Sequence, residues 1–296
     1  MVYISVIISS YNRVKYLDSA ISSVLNQSLD RKYYEIIVVK NFKDSHIDEL
    51  IKKNNIKNVY LNEKSLSIKI LKGLDIAEGE IISFLDDDDR FSERKLENVY
   101  NIFKNNKINY YHNDSIIVDD LDRLIKYRKL GISENLSSIS IRKSIIDTNI
   151  LKMVNRGIDL IMFLFALEYG GILEDNNKLT TYRLHNSVSH IIYNNFSEYR
   201  NFELLTLDHT IRDFQNIKYK FKSKQAIEFI NAFLSSLIIK KNILLKANYK
   251  IPYLKSFIMS KYFGIRFRLE YILIVILFKI NKTLTTKIIS KIYEKN

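Results

Sequence analysis

The chain has 296 residues, 47% of them hydrophobic and none of them Cys. That is enough for a real core in one large or two small domains, and it excludes a disordered chain, disulfides and thiolate metal sites. The net charge of +13 points to an anionic partner: nucleotide phosphates, a phospholipid surface or nucleic acid.

The first 90 residues alternate strand and helix patterns. Val2–Ser9 is β-branched and nearly all apolar, as a strand covered on both faces should be. Residues 13–27 place Leu17, Ile21, Val24 and Leu25 at helical spacing. Glu35–Val39 is the next strand, and residues 44–53 carry Ile47, Leu50 and Ile51 on one helix face. A short strand over residues 58–61 precedes a helix over 65–77, with Gly79 beyond its end as a stop signal. The fourth strand spans residues 80–85. This alternation implies a parallel sheet with right-handed crossovers, which gathers its strand-to-helix loops along one edge. Three of those loops are polar or charged: Ser9–Arg13, Lys40–Asp44 and the run Asp86-Asp87-Asp88-Asp89.

The aspartate run directly follows the apolar strand Ile81-Ile82-Ser83-Phe84-Leu85. An acidic block in isolation reads as a solvated turn. At the carboxyl end of a buried strand, where open α/β sheets bind ligands, it reads as a set of oxygen ligands for a hard divalent cation.

Four ordered motifs carry a resemblance. Ser5-Val6-Ile7-Ile8-Ser9-Ser10-Tyr11-Asn12-Arg13, the helix Ile21–Gln27, and Ala77–Asp89 resemble the opening, the next helix and the Asp-X-Asp strand of family 2 glycosyltransferases, inverting enzymes of the GT-A fold. Downstream, Gly157-Ile158-Asp159 and Tyr182-Arg183-Leu184-His185 sit where that family has Gly-Glu-Asp and Tyr-Arg-X-His. The resemblance covers about residues 1–190.

It implies an α/β GT-A fold, a Rossmann-like, mostly parallel sheet flanked by helices. It also implies a nucleotide-sugar donor and Mg²⁺ or Mn²⁺. Asp88 and Asp86 would be metal ligands, with His185 as a third ligand or a diphosphate contact. Tyr11 would pack on the nucleotide base, Asp87 would face the ribose, and Arg13 would lie on the phosphate side with Ser9 in the same loop. Asp159 would be the catalytic base, and Arg183, in the Tyr-Arg-X-His match, would be a functional residue beside His185. Asn113-Asp114 reads equally as an acceptor-side segment and as a turn. Two departures alter the donor side. Where the family has two aspartates this chain has Lys40 and Asn41, and Asn41 retains both a donor and an acceptor for a pyrimidine. Where it has Arg-Asn, this chain has Ile70 and Leu71, with Lys69 and Lys72 as point charges for phosphate. Position 158, Glu in the family, is Ile here.

Residues 191–296 match no motif and read as helices. Residues 224–247 place Ile227, Ile230, Phe233, Leu234, Leu237 and Ile238 on one broad face, and Pro252, the only proline, marks a break. From Lys250 to Asn296 there are ten Lys or Arg against two Glu, around the run Tyr271–Phe278. That run is too short to span a bilayer but suits a membrane interface; core packing and a homodimer interface are the other uses of these faces. No basic segment precedes an apolar stretch at the N-terminus, so no signal peptide is expected.

The expectation is a nucleotide-sugar-binding half over residues 1–115, an acceptor half over 116–190, and a helical extension over 191–296. The protein would be cytoplasmic and peripheral to the membrane. It would transfer sugar, with inversion, to a glycan or lipid-linked hydroxyl. The alternatives are an inactive GT-A-like binding module and, from charge alone, a nucleic-acid-binding protein.

Overall fold

The computed structural model describes residues 2–105, 107–125, 130–184, 195–247, 276 and 281. The chain divides into two compact units, Met1–His185 and Asn186–Asn296.

The first unit is built on one eight-stranded sheet of order β3-β2-β1-β4-β7-β6-β8-β5. Its first four strands are β1 (Ile4–Ser9), β2 (Tyr34–Lys40), β3 (Lys57–Tyr60) and β4 (Ile81–Asp86), all parallel. The helices between them are α1 (Leu17–Leu25), α2 (Ser45–Lys53) and α3 (Leu66–Ile76). β1 and β2 are buried along their whole length, which is why they read as unbroken apolar runs.

α1 starts four residues later than its periodicity suggested. Asn12 takes a positive φ of 53°, and residues 13–16 stay outside the helix. The first turn of the expected helix is thereby given over to the sheet edge.

The rest of the first unit holds β5 (Arg90–Phe91), α4 (Lys95–Phe103), β6 (Tyr110–Val118), β7 (Ile139–Arg142), α5 (Thr148–Leu151), α6 (Ile158–Tyr169) and β8 (Ile172–Arg183). β7 runs antiparallel to β4 and to β6, and β6 is parallel to β8. Asn113-Asp114 is no turn: it lies within β6, where the register with β8 shifts on both sides of Asp114. Asn113 is fully buried there, so it lines no open surface.

Two glycines set the spacing of the donor side. A Cβ on Gly79 would sit 2.5 Å from the Ser5 backbone nitrogen, and one on Gly73 would sit 2.7 Å from Ile7 Cγ2. α3 therefore packs directly against β1. At the opposite edge from the aspartates, Glu35 accepts from Ser5 Oγ (2.5 Å) and Glu78 N (2.6 Å) and pairs with Lys57 (2.6 Å). That cluster holds β1, β2, β3 and the entry to β4 together.

The second unit contains α7 (Phe196–Ile217) and α8 (Lys224–Leu244), capped by Asn195 and Ser223. Tyr199, Leu207, Ile239, Ile243 and Leu244 form their shared core, and Lys240–Glu203 and Lys241–Asp208 bridge them at 2.5 Å each. Among the described residues no helix is long and apolar enough to cross a membrane. The basic tail after Lys250, its apolar run and the Pro252 break lie outside the described residues, apart from Ile276 and Asn281. The charge is unevenly shared. Residues 1–185 carry 27 Lys or Arg against 26 Asp or Glu, and residues 186–296 carry 19 against 7.

Candidate functional site

The strand register assembles the site. Ser9 at the end of β1 pairs with Val39 of β2 on one side and with Asp86 of β4 on the other. The residues that follow each strand therefore leave the sheet at one level: Ser10–Arg13, Asn41 and Asp87–Asp89. Ser9 itself is buried in that row.

Asp87, expected beside the ribose, is buried, and its carboxylate is taken by two neighbours. Ser10 Oγ donates to it at 2.5 Å and the Arg13 guanidinium pairs with it. Arg13 also pairs with Asp88 at 2.8 Å. The residues left outside α1 are thus those that reach the aspartate run. Asp86 ends β4 half-buried. Burial, then the charges of Asp88, Asp87 and Asp159, push its carboxyl up to about 7, against the opposing pull of Arg13. Like charges gathered in a semi-buried edge disfavour full ionisation until a cation joins them.

Lys69 lies on α3 one turn before Gly73, on the helix face that meets β1. It is only 5% exposed, and Nζ sits 5.2 Å from the centre of the half-buried Tyr11 ring. It has no hydrogen-bond or ion-pair partner among the described residues, and burial lowers its pKa, partly countered by Asp87 and Asp86. Asn41 and Asn12 grip each other: Asn12 N donates to Asn41 Oδ1 at 2.8 Å, and Asn41 Nδ2 to Asn12 Oδ1 at 2.7 Å. Lys40 is turned inward, donating to Phe42 O and Asp48 Oδ1 at 2.7 Å each. It anchors the β2–α2 loop.

Asp159 stands in the first turn of α6, after Gly157 in the left-handed region at φ 69°. Its Oδ1 accepts from Leu160 N at 3.0 Å. Burial pushes the carboxyl up to about 6, with Glu134 adding to the rise and amides of Leu160 and Asn135 opposing it. The charge of Asp159 adds a small part of the rise at Asp86.

Arg183 is nearly buried and commits its donors to the protein: Nε to Asp88 O (3.2 Å), NH1 to Asp119 O (2.8 Å) and NH2 to Asp122 Oδ1 (2.7 Å). Its backbone N–H donates to Asp89 Oδ1 at 3.0 Å. It holds the aspartate run in place. His185 lies outside the described residues.

Asp86 and Asp88, the latter also paired with Arg13, carry the carboxylates that could hold a divalent cation. Among the described residues no group of three or more His, Cys, Asp or Glu is placed to hold a metal ion. Mg²⁺ commonly uses one or two carboxylates and completes its shell with substrate phosphates and water. A two-carboxylate edge crowded with negative charge fits that pattern.

The family model described as Glycosyl transferase family 2 matches residues 5–154. The chain belongs to glycosyltransferase family 2. Its match to the poly(ribitol-phosphate) beta-N-acetylglucosaminyltransferase TarP of Staphylococcus aureus is 35% identical over 109 residues, covering 35% of this chain and 33% of TarP. The match to the minor teichoic acid biosynthesis protein GgaB of Bacillus subtilis is also 35% identical, over 111 residues, 35% of this chain and 12% of GgaB. The aligned segments thus span a third or less of these relatives. Among solved structures, S. aureus TarS 1–349 in complex with UDP-GlcNAc superposes with a TM-score of 0.58 at 15% identity, over 86% of this chain and 78% of that one. The mannosyltransferase PcManGT from Pyrobaculum calidifontis, in complex with GDP-Man and Mn²⁺, gives 0.52 at 10% identity, over 98% and 86%. The sheet and its flanking helices are a GT-A fold, as the motifs implied.

Sequence reasoning passed over Ser10, Asn12 and the turn around Ser137. Ser10 and Asn12 sit inside the opening motif and were legible as loop residues. The third lies in a stretch without periodicity.

Proposed function

We propose that the chain is a metal-dependent, inverting glycosyltransferase that moves a sugar from a nucleotide-sugar to a hydroxyl acceptor. The observation that carries this reading is the strand register that brings Ser10–Arg13, Asn41 and the Asp86–Asp89 carboxylates to one sheet edge; Asp159, its carboxyl pushed up to about 6 by burial, is the acid read as the base. A general base works best with a pKa near the working pH.

In this reading Tyr11 stacks against the base, beside the Asn12–Asn41 amide pair. Lys69 donates to the diphosphate, since its ammonium makes no hydrogen bond to the described residues. Asp86 and Asp88 would hold Mg²⁺ or Mn²⁺ with the donor phosphates, and the ion would supply positive charge against the leaving diphosphate. Asp87 and Ser10 keep Arg13 at the phosphate side. Asp159 accepts the proton of the acceptor hydroxyl as its oxygen bonds to the anomeric carbon from the face opposite the nucleotide. The bond to the diphosphate oxygen breaks in the same step, and the nucleoside diphosphate leaves.

The acceptor is proposed to be an anionic glycan or polyol-phosphate chain, or a lipid-linked glycan at a membrane surface. Support comes from the names of TarP and GgaB and from the 19-to-7 basic excess of residues 186–296. That excess would also hold the protein at an anionic leaflet. A panel of nucleotide-sugars scored by thermal shift, with and without Mn²⁺, followed by transfer assays on the donor that binds, tests the reading. A Mn²⁺-dependent shift with one donor and transfer to an acceptor support it. Donor binding with neither transfer nor hydrolysis would favour the binding-module alternative.

A further inference from the structure

Asp86 is the last residue of β4, and the ladder to β7 stops before reaching it. β4 pairs with β7 only over Ile81, Ile82 and Ser83, the last of these opposite Ser140. Three residues on, the backbone N–H of Asp86 donates to Ser137 Oγ at 3.0 Å. A side chain from the turn between β6 and β7 thus takes over where the strand pairing ends. The chain enters that turn through Asn135 at φ 63°, whose Oδ1 accepts from Ser137 N at 3.1 Å.

Ser137 is in turn fastened from behind. Its carbonyl oxygen accepts from Lys95 Nζ at 2.5 Å and from Thr180 Oγ1 at 3.1 Å. Thr180 Oγ1 accepts from Lys95 Nζ at 3.1 Å and from Asn113 Nδ2 at 2.9 Å. α4, β6 and β8 each send one side chain into this knot, and all four members are buried. The Lys95 ammonium lies 4.2 Å from the centre of the Phe91 ring and has no ion-pair partner among the described residues. Burial pushes its pKa well below the ordinary lysine value. A charge buried without a counter-charge is costly, and an apolar side chain of the same length would fill the space without that cost. Stability alone therefore gives no reason for a lysine here, whereas fixing the Ser137 carbonyl does.

We propose that Ser137, held by Lys95 and Thr180, is a positioning residue that sets Asp86 at the sheet edge for a divalent cation. This rests on Asp86 being a metal ligand, as read above. Its carboxylate follows its own backbone, and the backbone is held by the Ser137 hydroxyl. Groups that orient a metal ligand from behind commonly account for about 10–100-fold in metal affinity.

The test titrates Mn²⁺ alone into the full chain, reads Kd from the EPR signal of the free ion, and adds a melting curve for each variant. Wild type should bind the ion, and Asp88→Asn should weaken it at least about tenfold, which places the ion at the aspartate edge. Ser137→Ala should weaken Mn²⁺ about tenfold, the low end of such effects. Lys95→Met, which keeps the stem and removes the ammonium, should weaken Mn²⁺ at least about threefold while melting no lower than wild type. A lysine that serves only the fold gives the reverse: a lower melting temperature with Mn²⁺ affinity unmoved. Lys95→Met decides alone if Ser137→Ala does not fold. Mn²⁺ affinity within about twofold of wild type in either folded variant, or early melting of Lys95→Met, overturns this inference alone. No Mn²⁺ binding by wild type, or binding that survives Asp88→Asn, overturns the metal assignment together with it.

Discussion

Replacing Lys69 by Met should move stability and function in different directions. Lys69 is 5% exposed, its ammonium lies over Tyr11, and it donates no hydrogen bond to any of the described residues. Burial dominates its lowered pKa, so the protonated side chain costs folding free energy. The sign follows from the unfolded chain, which binds the proton more tightly. The penalty is fully present below the folded-state pKa and disappears as pH rises toward the ordinary lysine value. Met keeps the length and apolar stem while removing the charge, so the variant should melt no lower than wild type at pH 7. Donor affinity should fall. A hydrogen bond to a charged group contributes about 1.5–3 kcal/mol, and 1.4 kcal/mol is tenfold in Kd, so the loss should be about tenfold to a hundredfold. Calorimetric titration with the cognate nucleoside diphosphate, beside a melting curve, reads both quantities. Unchanged donor affinity would show that Lys69 does not face the phosphates. A loss of more than about 1 kcal/mol of stability would show that it serves the fold through Tyr11.

Three further outcomes are expected. Gly79→Ala should destabilise the fold by about 1–3 kcal/mol, the usual cost of overpacking, because the new methyl meets the Ser5 backbone at 2.5 Å; a denaturant melt matching wild type would refute this. Turnover at saturating donor should rise with pH through a midpoint near 6, since the Asp159 carboxyl is pushed up to about 6 and must be unprotonated to act as a base; a profile flat from pH 5 to 8 contradicts that role. The full chain should sediment with anionic liposomes at low salt and be released as salt rises, each basic residue near the surface contributing about 1 kcal/mol that is screened within a Debye length. No sedimentation at low salt would discard the membrane reading.

The parallel half of the sheet was legible because apolar runs and helical spacing recur there without interruption, and because strand ends in such a sheet carry ligands. The carboxylates at Asp86–Asp89 could be located for the same reason, whereas Asp159 stood out only through the resemblance of Gly157-Ile158-Asp159 to the family's Gly-Glu-Asp. Other parts left no such trace. Lys40 reads as a surface cation at a strand end, and only the reach to Asp48 and Phe42 O makes it a buried anchor. β8 contains Glu174-Asp175-Asn176-Asn177-Lys178, which has no apolar alternation and reads as a loop; its long pairing with β6 overrides that local preference. The serines around Ser137 have no period at all, and their role depends on β4 and α4, distant in sequence. Arg13 looked like the first residue of a helix, and only the positive φ of Asn12 turns it toward Asp87 and Asp88.

The central claim is that Asp159 is the base of a transfer reaction whose donor binds at the aspartate edge. The measurement that tests it most directly is donor affinity and transfer rate of Asp159→Asn, taken side by side with Mn²⁺ present. A general base contributes typically about 10²–10⁴-fold. The account predicts a loss of turnover on that order with donor affinity within about threefold of wild type. Transfer persisting at near wild-type rate, with the donor equally well bound, would contradict it.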